Sequence, residues 1–326
     1  MVGAVDESLS PAVDESSLHP GASLIGADLR GVDLSGYDLR GADLSQADLT
    51  SVRAVGTSFA GAVLHEAKLD GAQLLNVDLS DATLTGAHAT NANFGASTLR
   101  GARLFGADLT NASLSQACLA DAEMRAAVFD EARLRDVDLT GADASSASFI
   151  DADLTGAQVA GAALRDINIS GARLKGLTGY ANADWVGCDA TGSDFTGAYL
   201  ARRVIIDQNY LHEFRTQSPT HEWIYRLWWL TSDCGRSYLR WGLCTLLFAL
   251  VFAGLYEVVD IDYGDNETAL SSIYFSIVTL TTLGYGDVLP ASQTAQAVVI
   301  GQVITGYVML GGLLSIFSTK MSRRGE

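Results

Sequence analysis

From residue 24 to residue 174 every fifth position is apolar, and this period constrains the fold more than any other feature of the chain. Leu24, Leu29, Leu34, Leu39, Leu44 and Leu49 open the series, and Phe59, Phe94, Phe129, Phe149 and Leu174 continue it in the same register, with small residues at Ala54, Ala89 and Ala144. The residue two before each centre is usually Ala (Ala27, Ala42, Ala47, Ala62, Ala67), and the residue just before it is often Asp (Asp28, Asp33, Asp38, Asp43, Asp48). A period of five fits neither an α-helix nor a flat strand. It fits a coil in which two residues of each five point inward and three outward. Each such coil packs only on its neighbours, so stability grows by stacking.

The repeated A(D/N)LXX resembles the motif of the pentapeptide-repeat family over residues 21–200. The resemblance implies a right-handed quadrilateral β-helix with four pentapeptides per coil, or roughly nine coils at about 4.8 Å spacing. The register slips once. After Leu174 the centres become Trp185, Ala190, Phe195 and Leu200, so Leu177, Thr178, Gly179 and Tyr180 are expected to form a bulge or loop. Residues 1–20 read as a disordered acidic tail broken by Pro11 and Pro20.

The 326 residues carry a formal net charge of −17, most of it in the first 200. The N-terminus shows neither the basic start nor the apolar core of a secretory signal, which places the repeat domain in the cytoplasm. Cys118, Cys188, Cys234 and Cys244 lack a CxxC spacing, and the five histidines are isolated. Neither a disulfide framework nor a structural metal is indicated. The Asp ladder has no paired nucleophile or base beside it, so it reads as a solvated face and an enzyme is not expected.

Composition changes after residue 200. Residues 201–236 mix arginines with aromatics and read as a linker. An amphipathic helix beginning at Pro219 lies in it, and Trp223, Trp228 and Trp229 are expected at the inner membrane–water boundary. Two apolar spans follow, at about 238–259 and about 294–318, each long enough to cross a bilayer. Acidic residues (Glu257, Asp260, Asp262, Asp265, Glu267) lie between them, and Lys320, Arg323 and Arg324 close the chain. This charge pattern places both termini in the cytoplasm of a multi-pass protein of the cell inner or plasma membrane.

Between the spans, a short helix-like run at about 269–281 leads into Thr281-Thr282-Leu283-Gly284-Tyr285-Gly286-Asp287. This string resembles the pore-loop signature of potassium channels, with Leu283 where TVGYG has Val. Such a loop replaces the water shell of K⁺ with a ring of backbone carbonyls. Gly284 and Gly286 reach φ > 0 at little cost, as such a backbone requires. The resemblance implies a two-transmembrane-helix pore module over 237–326 and a C4 homotetramer in the lipid bilayer. K⁺ would sit on Thr282, Leu283, Gly284, Tyr285 and Gly286, supported by Thr281 and Asp287. The resemblance also makes Gly306 the gating hinge, twenty-two residues after Gly284. Gly311 and Gly312 then lie near the narrowing of the inner helices, and packing alone is the alternative role for these glycines.

No helix with Arg at every third position is present, so a voltage sensor is not expected. No cofactor beyond K⁺ itself is implied. If a ligand or protein gates the channel, the repeat domain or linker is its receiver. Two rival readings come from other classes. Some pentapeptide-repeat proteins imitate duplex DNA with an acidic rod, but this leaves the pore loop unexplained, and no nucleic-acid partner is expected. The other rival is a non-selective cation channel.

Overall fold

The computed structural model describes residues 15–235, 237–264 and 267–322. The rest of the acidic tail, Arg236, Asp265, Arg323 and Arg324 lie outside the described residues. The chain forms two compact units, Met1–His212 and Glu213–Glu326.

In the first unit the period of five is the side of a four-sided coil. Parallel bridges join residues twenty apart, with four rungs to each turn: Ser23 to Asp43, Asp28 to Asp48, Asp33 to Arg53 and Asp38 to Ser58. Leu29 N–H donates to the Asp48 carbonyl at 2.8 Å, while Asp48 N–H donates to Ala27 at 2.9 Å. Each corner is a turn closed by a bond such as Val32 N–H to the Leu29 carbonyl, 3.1 Å. Its third residue often takes φ > 0, as at Gly31 (64°) and Asn76 (53°), the conformation that favours Gly and short polar side chains. The central Leu and Phe side chains are buried along the axis, and Phe129 stacks on Phe149 with centroids 4.9 Å apart and planes 6° apart. Burying each such side chain stabilises the coil by about 1.5–3 kcal/mol before conformational entropy is set against it.

The Asp ladder is not simply a solvated face. Asp108 Oδ1 accepts from Thr110 N–H at 3.0 Å and from the Thr110 hydroxyl at 2.6 Å. Asp78 serves Ser80, and Asp138 serves Thr140, in the same way. The recurrent Asp-Leu-Ser/Thr sequence is thus a side-chain cap on the corners that carry it.

The register slip falls slightly later than the sequence suggests. Thr178 still bridges to Gln158 with the regular spacing, and the extra residue is absorbed by a 3₁₀ turn at Tyr180–Asn182 before Ala163 pairs with Asp184. Leu177 keeps its inward position. Leu200 is not a repeat centre. It lies exposed in the first turn of helix α1 (Tyr199–Thr216). At the other end, where a tail was expected to reach residue 20, Glu15–Ser17 forms a 3₁₀ turn.

The N-terminal part of the expected linker proves to be the lid of the solenoid. Ala201 and Ile205 of α1 bury against the repeat core. Gln208 mimics another strand: its Oε1 accepts from Trp185 N–H at 2.8 Å and its Nε2 donates to the Ala183 carbonyl at 2.9 Å. Asn209 Oδ1 accepts from Gly187 N–H at 2.7 Å. These side-chain amides satisfy the backbone groups that an open sheet edge would leave unpaired.

The second unit is helical: α2 (Pro219–Ser232), α3 (Tyr238–Tyr256), α4 (Ser271–Leu280) and α5 (Gln293–Ser322). Pro219 opens α2 behind Ser218, whose side chain accepts from His221 N–H. A two-residue antiparallel pair, β1 (Ile261–Asp262) with β2 (Leu289–Pro290), ties the segment after α3 to the segment before α5. α3 and α5 are long and apolar enough to cross a membrane.

Candidate functional site: the loop between α4 and α5

Helix α4 ends at Leu280, and the chain continues as Thr281 to Asp287 without regular structure. Thr281 N–H and hydroxyl both bond the Ile277 carbonyl (2.9 and 2.7 Å), so Thr281 completes the last turn. Beyond it φ is positive at Thr282 (57°), Gly284 (52°) and Gly286 (77°), while Leu283 and Tyr285 keep negative φ. A backbone whose handedness alternates residue by residue turns successive carbonyls toward one side, whereas a strand alternates them. Such a row of oxygens can replace the hydration shell of a cation. Thr282 adopts this conformation without being glycine, which costs of order 1–3 kcal/mol.

Leu283 and Tyr285 are exposed (58% and 67%). Asp287 is tied back to α4: the Tyr274 hydroxyl donates to its Oδ2 at 2.6 Å. Tyr274 was not singled out from the sequence, since one Tyr in an apolar run carries no distinguishing signal.

Gly306 is explained by packing. A Cβ there would lie 2.3 Å from the Leu280 carbonyl oxygen, so only glycine lets α5 pass this close to the end of α4. Gly312 has the same role against Trp241, whose ring would stand 2.1 Å from an added Cβ and whose Nε1–H donates to the Met309 carbonyl at 2.8 Å. Gly311 meets nothing within 4 Å. It lies on the opposite face of α5, where Ile300, Ile304, Tyr307 and Leu314 are exposed, while Ala295, Gln302, Met309 and Ile316 are buried against the rest of the unit.

The three tryptophans of α2 do not share one face. Trp223 is 71% exposed, in line with Leu227 and Leu230, and Trp229 is half-exposed under the Arg240 guanidinium (5.4 Å). Trp228 turns inward and meets Phe214 edge-on, at 6.3 Å.

The segment before the loop carries Glu257, Asp260, Asp262 and Glu267; burial, together with Glu257 and Glu267, pushes the Tyr263 hydroxyl above its ordinary range. Among the described residues no group of His, Cys, Asp and Glu could hold a metal ion. Cys188 is an inert thiol, pushed up to about 12 by burial and then by Asp189.

Known proteins resemble the two units separately. Residues 21–53, 42–81, 78–116, 107–143 and 132–171 match the family described as pentapeptide repeats, in 8 copies, and residues 244–323 match the family described as ion channel. "Two-pore potassium channel 4" of Arabidopsis thaliana is 38% identical over 80 residues, 24% of this chain and 25% of that protein. "Voltage-gated potassium channel Kch" of Escherichia coli is 35% identical over 81 residues, 24% of this chain and 17% of that protein. The chain therefore spans a quarter or less of the length of these relatives. Among solved structures, the pentapeptide repeat protein HetL of Nostoc is 34% identical and covers 52% of this chain and 83% of its own, with a TM-score of 0.25. Residues 21–171 are thus pentapeptide repeats, and residues 244–323 are an ion-channel segment joined to them in one chain.

Proposed function

We propose that the protein is a potassium-selective channel that assembles as a C4 homotetramer in the cell membrane, with both termini cytoplasmic. The observation that carries this reading is the alternating backbone handedness at Thr282, Gly284 and Gly286, immediately after a short helix and between two spans. Four such loops around one axis supply stacked rings of carbonyls from Thr282, Leu283, Gly284 and Tyr285, closed outward by Gly286. Thr281 and the Tyr274–Asp287 bond support the loop from behind. The exposure of Leu283 and Tyr285 in one subunit fits side chains that neighbouring subunits cover. Potassium channels are also the relatives that the pore segment matches.

In this reading α2 lies at the inner bilayer surface with Trp223 and Leu227 toward lipid, and Arg226 and Arg240 beside Trp223 and Trp229 at headgroup level. Gly306 admits the tight α4–α5 crossing and is the position at which α5 bends, and Gly311 lies on the face that the inner helices present to one another. The repeat unit regulates or scaffolds the pore, and a gating ligand or protein would bind there.

The test is the reversal potential of the purified protein in a planar bilayer, with K⁺ on one side and Na⁺ on the other. A value near the K⁺ equilibrium potential is expected. A value near zero would replace selectivity with a non-selective pore. Unchanged open probability after removal of residues 1–200 would remove the regulatory role of the repeats.

A further inference from the structure

Among the described residues, the interior of the pore unit holds a buried amide that neither the filter nor the hinge explains. Gln302 lies a third of the way along α5, fully buried within a single subunit. Its Nε2 donates to the Ser276 carbonyl (2.9 Å) and to Ser276 Oγ (2.6 Å), and its Oε1 accepts from the Tyr256 hydroxyl. Ser276 Oγ in turn donates to the Ala249 carbonyl at 2.6 Å. Ser276 and Tyr256 are also buried, and the Tyr256 ring packs on Phe275 at 4.8 Å. One amide therefore bridges all three helices: α3 through Tyr256 and Ala249, α4 through Ser276, and α5 through Gln302 itself.

A buried amide inside a membrane span is costly unless its donors and acceptor are met, and here the Gln302, Ser276 and Tyr256 side chains meet one another and the helix carbonyls of Ser276 and Ala249. Residues of α4 and α5 alone could pack through aliphatic contacts, as the Ala295, Met309 and Ile316 positions of α5 do. The amide adds direction. It fixes the axial position of α4 at Ser276, six residues before Thr282, while the Leu280 carbonyl is seated on Gly306 one turn further along α5. The loop that begins at Thr281 thus starts from a helix set in place at two levels.

We infer that Gln302 is a positioning residue for the ion-conducting loop, holding α4, and through it Thr282 to Gly286, at the radius that coordinates K⁺. This rests on the channel reading above. A loop held in place by α4 and by its own ions makes a specific demand: loosening α4 lets the loop leave its conducting form, and bound K⁺ opposes that change by mass action.

The experiment compares wild-type protein with Gln302→Met, which keeps volume and removes the amide, in planar bilayers at about 1 mM and about 100 mM external K⁺. Absence of K⁺-selective current in the wild type would sink the channel reading itself. Given that current, Gln302→Met is expected to decay about tenfold faster at low K⁺ and to recover toward wild type at high K⁺. Wild-type decay at low K⁺ would overturn the inference. So would a faster decay that high K⁺ does not slow, because the amide would then act elsewhere than through the loop. If Gln302→Met fails to assemble, Tyr256→Phe serves, since it keeps the ring and removes one hydroxyl. An effect of about threefold with the same K⁺ dependence supports the role, and wild-type behaviour refutes it.

Discussion

The two units solve the problem of buried backbone in opposite ways. In the repeat unit each coil pairs with the next, the corner Asp residues cap the turns, and Gln208 and Asn209 bond backbone groups of the last coils, so the unit meets these backbone groups from within its own chain. In the pore unit the helices satisfy their own backbone, yet only 11% of the α3 span and 17% of the α5 span is buried, and Leu283 and Tyr285 of the loop between α4 and α5 lie exposed. A periodic sequence can finish its own surface. In the proposed tetramer, a unit that lines an axis leaves that surface for lipid and for other copies.

The largest expected effect separates the two directly. Residues 1–212 expressed alone should be soluble, monomeric in their fold and cooperatively unfolded, whereas residues 213–326 should aggregate unless detergent is present. Circular dichroism and size exclusion with and without detergent read this out. A soluble, folded 213–326 fragment would break the contrast.

Within the repeat unit, Phe129→Ala should cost about 3–5 kcal/mol in urea unfolding, because the ring is fully buried and its stack on Phe149 is lost with it. Local stacking predicts that the damage stays near those coils. Equal loss of hydrogen-exchange protection along the whole solenoid would show stronger cooperativity than neighbour contacts supply.

Within the pore unit, Gly306→Ala and Gly311→Ala sharpen the contrast between the inward and outward faces of α5. The first places a methyl against the Leu280 backbone and should lower the thermal stability of the detergent-solubilised assembly by about 1–3 kcal/mol. The second meets nothing in its own subunit and, with Ala favoured over Gly in a helix, should change stability by less than about 1 kcal/mol. A loss at Gly311 as large as that at Gly306 would show that, in the assembly proposed above, a neighbouring copy presses on Gly311 itself and not only on the face around it.

The sequence made the architecture legible where its signal was periodic or its motif dense. Leu24 to Leu174 defined the coil, and Thr282 to Asp287 defined the loop. It was less informative where one side chain does a geometric job. Gln208 and Asn209 look like any polar residues of a helix, yet they replace a strand. Tyr274 and Trp241 are ordinary aromatics until Asp287 and Gly312 are seen beside them. Gln302 did carry a signal, as an amide amid an apolar span, but only the positions of Ser276 and Tyr256 give it a role. Leu200 was misassigned because a repeat centre and a helix-starting leucine look alike once the period ends.

The smallest predicted effect concerns acid. In the repeat unit, hydrogen bonds from Ser45 hold Asp43 below the usual carboxylate range, and those from Thr191 and Thr196 do the same for Asp189 and Asp194. A carboxylate with a depressed folded-state pKa contributes stability that is complete above its unfolded value of about 3.9 and is lost as pH falls through the folded value. The repeat unit should therefore keep its stability from neutral pH down to about 4 and lose it progressively below. Asp43→Asn keeps an oxygen that can accept from Ser45 but cannot titrate, so its unfolding midpoint should fall less steeply in that acid window. These groups are exposed and the individual change is small, so a combined Asp43, Asp189 and Asp194 variant is the one to measure. If its acid dependence matches the wild type, the charge on these three corner caps contributes nothing measurable to the stability of the solenoid.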